Sequence, residues 1–271
     1  MKLTWFDANS WLIEAGGQRV LIDPWLVGKL VFGGMDWLVR GVRQDPSDPK
    51  RSIDLEIPGN IDLILLSQGL ADHAHSETLA RLDKSISVVA SPDGAKVARD
   101  RGFKSVSAID HGESLKLNGL DIQAFVGAPV GALKKENAYI LTFLEGKERL
   151  YYEPHGYPDA EHLKNVAAVD VAITPMADID LLKVAPVIRG SIAATQLAEL
   201  LNPQVMLPTA QNGRVTYEGL ISPVIKEKGG SKAIAAQFEA QGLGIRVVAP
   251  EPGETVTLEL VARDRAAAQA G

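Results

Sequence analysis

The chain runs twice through the same order of predicted elements, with antiparallel strands first and strands alternating with helices afterwards. Short β-rich runs at 3–6, 10–14 and 19–22 are followed from Ile61 by alternating strands and helices, and a second β-rich block begins near Ser105. Two half-chains of this kind predict two sheets packed face to face with helices outside, which is an α+β architecture.

The predicted domain covers residues 1–262, because no low-complexity linker divides the chain. An apolar insertion occupies about 24–52. Residues 263–271 are rich in alanine and lack an apolar face, so we expect a flexible tail there. Two helix starts are predicted, one at Ser91, where a capping serine precedes a proline, and one at Ser191.

The composition narrows the classes of function. The 271 residues are 46% hydrophobic and carry a net charge of −6, without a run of Lys and Arg dense enough to follow a phosphate backbone. We therefore expect small-molecule or protein partners and no nucleic acid. Cysteine is absent, so any metal must be held by His, Asp or Glu. Strand-like sequence begins at Met1 without a segment of signal-peptide form, which predicts a cytoplasmic chain.

Two polar loops follow strand-like segments and hold the candidate site residues. The apolar run 61–66 leads into the sequence SQGLADHAH at residues 67–75, which contains Asp72 and His73. The sequence YYEPHGY at residues 151–157 contains Glu153 and His155. Strand ends that open into polar loops are common places for chemistry. These four side chains are therefore the candidate catalytic residues.

Several segments carry a resemblance to a known family. The opening strands contain KLTW at 2–5, WLIE at 11–14 and VLIDP at 20–24, and residues 62–73 resemble a motif in which a buried strand precedes Ser-His-x-His-x-Asp-His. In this order they resemble the metallo-β-lactamase superfamily, most closely its stand-alone hydrolase branch, which includes a lactonase of ascorbate use. The resemblance covers most of residues 1–210 and implies a metallo-β-lactamase-like αββα four-layer sandwich.

Most of the metal-ligand positions that the resemblance implies are changed. Its central motif supplies three His and one Asp to two metal ions, whereas Gln68, Leu70, Asp72 and His73 occupy those places here. The later positions, and an early one seen in nearer relatives, also lack ligands: residues 124–129 contain no His, and Pro154, Ala210 and Ala8 stand at the others. The ordinary dinuclear site therefore cannot be built.

The first functional hypothesis is a degenerate member of the family that binds in a loop-bounded, partly apolar cavity and uses no cofactor. Leucine cannot coordinate a metal and glutamine offers only a neutral oxygen. Without cations, neither water activation nor carbonyl polarisation by a metal is available. Gln68 and Leu70 are then expected to line the ligand pocket together with Trp25 and Trp37 from the insertion.

The second hypothesis is a hydrolase of an ester, lactone or phosphoester with a rearranged site. Asp72, His73 and His155 would hold one divalent Zn, Fe or Mn ion, because two histidines and a carboxylate suffice for a single ion with open positions. Alternatively, His73 or His155 would act as an acid or base without metal, with Glu153 or Asp72 orienting the imidazole. The sequence does not decide whether the protein is an enzyme.

Structural roles would explain some of the same residues without chemistry. Asp72 could cap the following helix or accept hydrogen bonds from loop amides. His73 could be a buried imidazole left behind by a lost site. His75 precedes a predicted helix and is expected to be solvated. Asp23 lies at the end of a strand, where such residues usually hold a turn together.

Residues 24–42, PWLVGKLVFGGMDWLVRGV, are the apolar part of the insertion. They are too interrupted by glycine and charge to span a bilayer, which takes about 20 mostly apolar residues. We expect a flap packed over the sandwich, in preference to a membrane-surface or partner-binding patch. Over a lost metal cavity, this flap would contribute Trp25, Phe32 and Trp37 to an apolar pocket.

Overall fold

The computed structural model describes residues 1–131, 133–181, 185–211 and 213–263. Apart from Arg263, the predicted tail lies outside the described residues, so its flexibility stays a prediction. Within those ranges, no helix is long and apolar enough to cross a membrane.

The strands of the first half are β1 (Lys2–Asp7), β2 (Ser10–Ala15), β3 (Gln18–Ile22), β4 (Leu30–Val31), β5 (Arg40–Asp45), β6 (Asp48–Ser52), β7 (Leu63–Leu66), β8 (Ser87–Ala90) and β9 (Val106–Ala108). Its helices are α1 (Ser76–Arg81) and α2 (Pro92–Asp100).

The strands of the second half are β10 (Ser114–Leu117), β11 (Leu120–Val130), β12 (Lys134–Phe143), β13 (Arg149–Tyr152), β14 (Val171–Pro175), β15 (Ala177–Leu181), β16 (Ala185–Arg189), β17 (Val205–Thr209), β18 (Val215–Glu218), β19 (Ile225–Gly229), β20 (Arg246–Val247) and β21 (Thr255–Thr257). Its helices are α3 (Ala160–Leu163), α4 (Gly190–Leu201) and α5 (Ser231–Gln241), with a 3₁₀ turn at Ser222–Val224.

Two seven-stranded sheets form the centre of the molecule. The first has the order β21-β1-β2-β3-β7-β8-β9, and the second has the order β10-β11-β12-β13-β14-β17-β20. Each sheet is antiparallel where short turns join its strands and parallel where longer connections join them. This change of direction follows from the sequence, because tight turns join antiparallel strands whereas parallel strands need a crossover connection.

Apolar side chains of both sheets interdigitate in one central core. Trp5 and Trp11 of the first sheet belong to the same buried cluster as Leu141 and Tyr152 of the second. Helices α1 and α2 cover the outer face of the first sheet, and α3, α4 and α5 cover the outer face of the second. The molecule is therefore an αββα sandwich, as the sequence predicts.

The two predicted helix starts have different outcomes. Ser91 caps α2 and its hydroxyl accepts a hydrogen bond from the Gly94 amide, so this prediction is confirmed. The prediction for Ser191 is wrong, since α4 begins at Gly190 and has no side-chain cap. The Ser191 hydroxyl instead donates to Asp178 Oδ2 at 2.6 Å. The sequence did not predict the β15–β16 pair that brings Asp178 there.

The insertion folds into β4, β5 and β6 and packs on the sandwich. Strand β5 pairs with β4 on one side and with β18 on the other, so the insertion shares a small sheet with a segment of the second half. Trp25 and Leu30 are buried against Val215 of that segment. The antiparallel pairing of β5 with β18 ties the insertion to residues 215–218.

Candidate metal centre

Two histidines from different loops meet at one end of the sandwich. His73 follows β7 and His155 follows β13, and their ring centroids lie 5.0 Å apart. The loop after β7 is tied to the second sheet, because the Asn137 amide of β12 donates to the Ser67 carbonyl at 2.9 Å. Strand β12 lies beside β13, which leads to His155. The sandwich therefore brings together side chains that are far apart in sequence.

A buried carboxylate fixes the His73 ring. His73 Nδ1 lies 2.7 Å from Asp23 Oδ2, and both side chains are completely buried. Asp23 also accepts hydrogen bonds from the Ser67 amide at 2.8 Å and from the Tyr152 hydroxyl at 2.7 Å. Since Nδ1 faces Asp23, the opposite ring nitrogen, Nε2, faces Asp72 at 3.1 Å.

A second buried carboxylate fixes the His155 ring in the same way. His155 Nδ1 lies 2.7 Å from Glu136 Oε2. Glu136 is buried, and it also accepts hydrogen bonds from Gln68 Nε2 at 3.0 Å and from the Ala128 amide at 3.0 Å. A carboxylate on one nitrogen of an imidazole is the usual support of a metal-binding histidine, because it leaves the other nitrogen free to coordinate.

Glu153 holds the loop that carries His155. Its Oε1 accepts hydrogen bonds from the backbone amides of His155 at 2.9 Å and Gly156 at 2.8 Å. Gly156 has φ of +82°, and a Cβ atom there would lie 2.7 Å from the backbone of Arg189. Glu153 therefore acts on the position of His155, and a glycine is required beside it.

Asp72 completes a group of three side chains. One ligand atom each from Asp72, His73 and His155 lies within 4.8 Å of the other two. Among the described residues, Asp72 Oδ1 has no hydrogen-bond partner although it is buried, and the same is true of Gln68 Oε1 and Asn9 Oδ1. Buried acceptors without a donor are costly, and a cation would satisfy them. The donor set therefore fits a metal ion.

The charges of Asp72 and His73 are coupled. Burial alone would lower the pKa of His73, but the carboxylates of Asp72 and Asp23 raise it well above its usual value. Burial would raise the pKa of Asp72, but the charge of His73 lowers it. His73 is therefore an imidazolium between two carboxylates when no metal is present, and a metal ion at Nε2 would replace a proton.

The pKa values of His155 and Glu153 are also set by burial and by neighbouring charges. Burial would lower the pKa of His155, but the carboxylate of Glu136 raises it above its usual value. Burial, followed by the negative charge of Glu136, raises the pKa of Glu153 to about 7.

The structural roles expected for Asp72 and His75 agree only in part with the structure. His75, and not Asp72, is the N-cap of α1, since its ring accepts a hydrogen bond from the Thr78 amide. The expectation that His75 is solvated is wrong, because its side chain packs beneath the insertion and its Nε2 lies 3.1 Å from the Lys29 carbonyl oxygen. His75 lies outside the group of three ligands.

A cavity of about 510 Å³ opens beside the three side chains, and Gln68 and Leu70 lie on its wall together with Asp72 and His155. Contrary to expectation, Trp25 and Trp37 are not among its lining residues. Trp25 is buried with the Arg43 guanidinium 4.4 Å from its ring centroid, whereas Trp37 is 66% exposed. Both tryptophans thus lie away from the pocket, and the insertion contributes other side chains to it.

Sequence reasoning missed the two carboxylates that support the imidazoles. It assigned Asp23 to a turn and did not single out Glu136. Asp23 ends a strand in a left-handed conformation, with φ of 41°, and Glu136 is a buried acid within a strand. Glu136 directly precedes the apolar run of β12, whose residues 136–141 are all buried, and an acidic residue at that place was the one available signal.

The backbone is left-handed at two positions where the resemblance implies a histidine. Ala8 has φ of 47° and Ala210 has φ of 53°, although neither is glycine. The Ala210 amide donates to the Ala8 carbonyl at 3.1 Å. The neighbouring Asn9 places its side-chain nitrogen 3.4 Å from His73 Nε2. The ligand side chains are replaced, whereas the left-handed conformation is present at both positions.

Comparisons with known proteins identify the family. The family model described as a β-lactamase superfamily domain matches residues 2–210. The chain belongs to this superfamily. A protein of Korarchaeum cryptofilum named a UPF0173 metal-dependent hydrolase is 23% identical over 269 residues, which cover 95% of this chain and 100% of the relative.

Solved structures of two other proteins share the fold. Igni18, a metallo hydrolase from Ignicoccus hospitalis, aligns with a TM-score of 0.65 and 20% identity, covering 95% of this chain and 98% of that one. A possible metal-dependent hydrolase from Veillonella parvula aligns with a TM-score of 0.70 and 16% identity, covering 95% and 99%. At these identities the likeness shows the fold, and the metallo-β-lactamase resemblance is confirmed.

Proposed function

We propose that this metallo-β-lactamase-fold protein is a hydrolase that works with one divalent metal ion held by Asp72, His73 and His155. The observation that carries the proposal is the convergence of these three ligand atoms within 4.8 Å of one another. Two ligands of one ion lie up to about 4 Å apart, because each bond is about 2 Å long. Small side-chain adjustments would therefore bring all three onto one ion.

The donor set supports Zn, Fe or Mn. Two imidazoles whose Nδ1 atoms face carboxylates offer their Nε2 atoms, and Asp72 Oδ1 offers an oxygen that has no other partner among the described residues. Two nitrogens and one carboxylate suit all three metals and leave open positions. The donor set alone does not choose among the three metals.

Each supporting side chain has a defined role in this proposal. Asp23 and Glu136 hold the two imidazoles in orientation, and Glu153 holds the loop on which His155 lies. When bound, the ion supplies positive charge that polarises the substrate and acidifies water. Glu153 is therefore a positioning residue that acts through the backbone of the loop, whereas the sequence suggested that it orients an imidazole directly.

The reaction class is hydrolysis of an ester, lactone or phosphoester. The oxygen of water joins the acyl carbon or phosphorus, the bond to the leaving oxygen breaks, and that oxygen takes up a proton. Tyr217 lines the cavity, and burial together with the charge of Asp72 raises the pKa of its phenol. Tyr217 therefore keeps its proton at neutral pH, so it can donate a hydrogen bond to a substrate oxygen.

Metal content of the intact protein tests this proposal. Protein purified without chelator is expected to hold close to one equivalent of a divalent metal by elemental analysis. His73→Ala and His155→Ala are each expected to lower the content well below one equivalent and to abolish ester or phosphoester hydrolysis. His162→Ala is the matched control, because His162 is an exposed histidine paired with Asp159 on α3.

Full activity after complete metal removal would contradict the metal-dependent proposal and favour His73 or His155 as an acid or base without metal. Two equivalents of metal would contradict the single-ion site. Equal metal loss in His162→Ala would show that the binding is not specific to the centre.

A second candidate is a binding protein without turnover. It is favoured by the contact of His73 Nε2 with Asp72 at 3.1 Å while Nδ1 faces Asp23 at 2.7 Å, because both ring nitrogens of His73 then have a carboxylate partner without a metal. Under this candidate, metal content stays far below one equivalent. Removal of either histidine then leaves ligand binding intact.

A further inference from the structure

The cavity beside the proposed metal centre has the size and lining of a small-molecule site. Its volume of about 510 Å³ lies within the range of about 300–1,000 Å³ that is usual for ligand pockets. Such pockets combine mostly apolar walls with a few polar groups that fix the orientation of the ligand. The placement of these groups indicates what kind of molecule it would accept.

Two segments that are far apart in sequence build one wall. The insertion contributes Phe32 and Val39, and the segment after β17 contributes Tyr217 and Ile221. The pairing of β5 with β18 joins these segments, with Val42 opposite Thr216. This wall is therefore a connected, largely apolar surface.

A second wall is also apolar. Ile179 of β15, Val187 and Ile188 of β16 and Ile225 of β19 line it, together with Pro129 and Val130 at the end of β11. Strands β15, β16 and β19 form one small sheet. Aliphatic side chains from two separate small sheets thus line the cavity.

Polar groups are confined to a few positions. Gln68, Asp72 and His155 lie on the cavity lining at the metal centre, and two tyrosines add phenol groups. No lysine or arginine of the described residues lines the cavity. Arg189 packs its guanidinium over the ring of Tyr157, 5.0 Å from its centroid.

The balance of charge disfavours an anionic ligand. Asp23, Asp72 and Glu136 lie within hydrogen-bonding distance of the two imidazoles, so the protein supplies no excess positive charge at this end of the cavity. Proteins usually recognise phosphate with Arg, Lys or a cluster of backbone amides. Among the described residues, the cavity therefore has no side chain of the kind that would select a phosphoester.

We propose, on the basis of the proposed hydrolase function, that the substrate is a neutral ester or lactone with an aliphatic chain. The chain lies between the two apolar walls and the carbonyl lies at the end formed by Asp72 and His155. Hydrolysis adds the oxygen of water to the carbonyl carbon and breaks its bond to the ester oxygen, which leaves with a proton. The products are an acid and an alcohol, joined in one molecule for a lactone.

Binding of matched probes tests this inference without turnover. Methyl ketones of increasing chain length resemble the neutral carbonyl and cannot be hydrolysed, and alkyl phosphates of the same chain lengths are the anionic counterparts. With the intact chain after metal removal, the Kd of the ketones is expected to fall about fourfold for each added methylene until the cavity is filled. The phosphates are expected to bind at least tenfold more weakly.

A charge placed in the wall sharpens the test. Val187 is 47% exposed and lines the cavity, so Val187→Lys can keep its ammonium group in water while placing positive charge at the wall. This variant is expected to weaken ketone binding and to strengthen phosphate binding about threefold. Ile192→Lys is the matched control, because Ile192 lies on α4, is 60% exposed and does not line the cavity.

Ketone affinity that is independent of chain length, or phosphates that bind as tightly as ketones to the unchanged protein, would overturn the inference. An equal response of Ile192→Lys would overturn the assignment to this cavity. These outcomes can be distinguished from a failure of the proposed function. Ketone binding by a protein that holds no metal would remove the hydrolase proposal alone, and phosphoester hydrolysis without ketone binding would remove this inference alone.

Discussion

The two histidine–carboxylate pairs have the same geometry but different surroundings. His73 and Asp23 are both completely buried, and Asp23 also accepts hydrogen bonds from Ser67 and Tyr152. In the second pair Glu136 is buried, whereas the His155 side chain is 13% exposed and lines the cavity. The first pair is therefore part of the core, and the second is part of the binding surface. Stability experiments should respond most to the first pair, and ligand or metal binding most to the second.

The largest expected effect is on stability, from Asp23→Ala. The substitution leaves the buried donors of Ser67 and Tyr152 and the His73 imidazolium without their shared acceptor. Removing one partner of a buried charge pair costs about 3–5 kcal/mol. Urea unfolding should show this loss in the free energy of unfolding. Glu199→Ala, at an exposed position of α4, is the control and should change it by less than about 0.5 kcal/mol.

The next effect is on metal affinity, from Glu136→Gln. This change keeps the shape of the side chain but removes the charge that faces His155 Nδ1. Loss of such a supporting carboxylate lowers metal affinity about 10–100-fold. Competition with a chelator of known affinity measures it. A loss of unfolding free energy as large as that of Asp23→Ala, with metal affinity unchanged, would contradict the assignment of the first pair to stability and of the second pair to metal binding.

A smaller effect is expected from Gly156→Ala, which tests the loop that carries His155. The backbone has φ of +82° there, and the new Cβ would lie 2.7 Å from Arg189. A left-handed conformation in a residue other than glycine costs about 1–3 kcal/mol. Gly59→Ala is the matched control, since nothing lies within 4 Å of its Cβ position. We expect urea unfolding to separate the two variants, and metal binding to weaken only for Gly156→Ala. Equal behaviour would contradict the positioning role of the loop.

The smallest effect is expected from Trp37→Ser, which belongs to neither pair. Trp37 is 66% exposed and does not line the cavity. Exposed substitutions usually change the free energy of unfolding by less than about 0.5 kcal/mol. Unfolding and ketone binding should both match the unchanged protein. A clear loss of ketone binding would instead indicate that Trp37 contributes to the pocket, as the sequence suggested.

The features predicted correctly from the sequence are those that local sequence patterns determine. Alternating apolar residues and turn signals gave the strands of both sheets, and the Ser91 cap gave the start of α2, because these depend on neighbours in the chain. The loops with His73 and His155 were found for the same reason. The cytoplasmic location and the expected partners stay predictions.

The parts that were missed depend on contacts between distant residues. Asp23 is separated by 50 residues from His73, and Glu136 by 19 from His155, so no local pattern reveals either pair. Trp25 was misplaced because an apolar run does not show which side its residues face once the chain folds back.

Ala8 and Ala210 both have a left-handed backbone although neither is glycine. The hydrogen bond from the Ala210 amide to the Ala8 carbonyl and the Asp7 carboxylate, which accepts from the Ala8 amide at 2.9 Å, hold this geometry in place. The main chain at these two positions therefore sets the direction in which any larger side chain placed there would project.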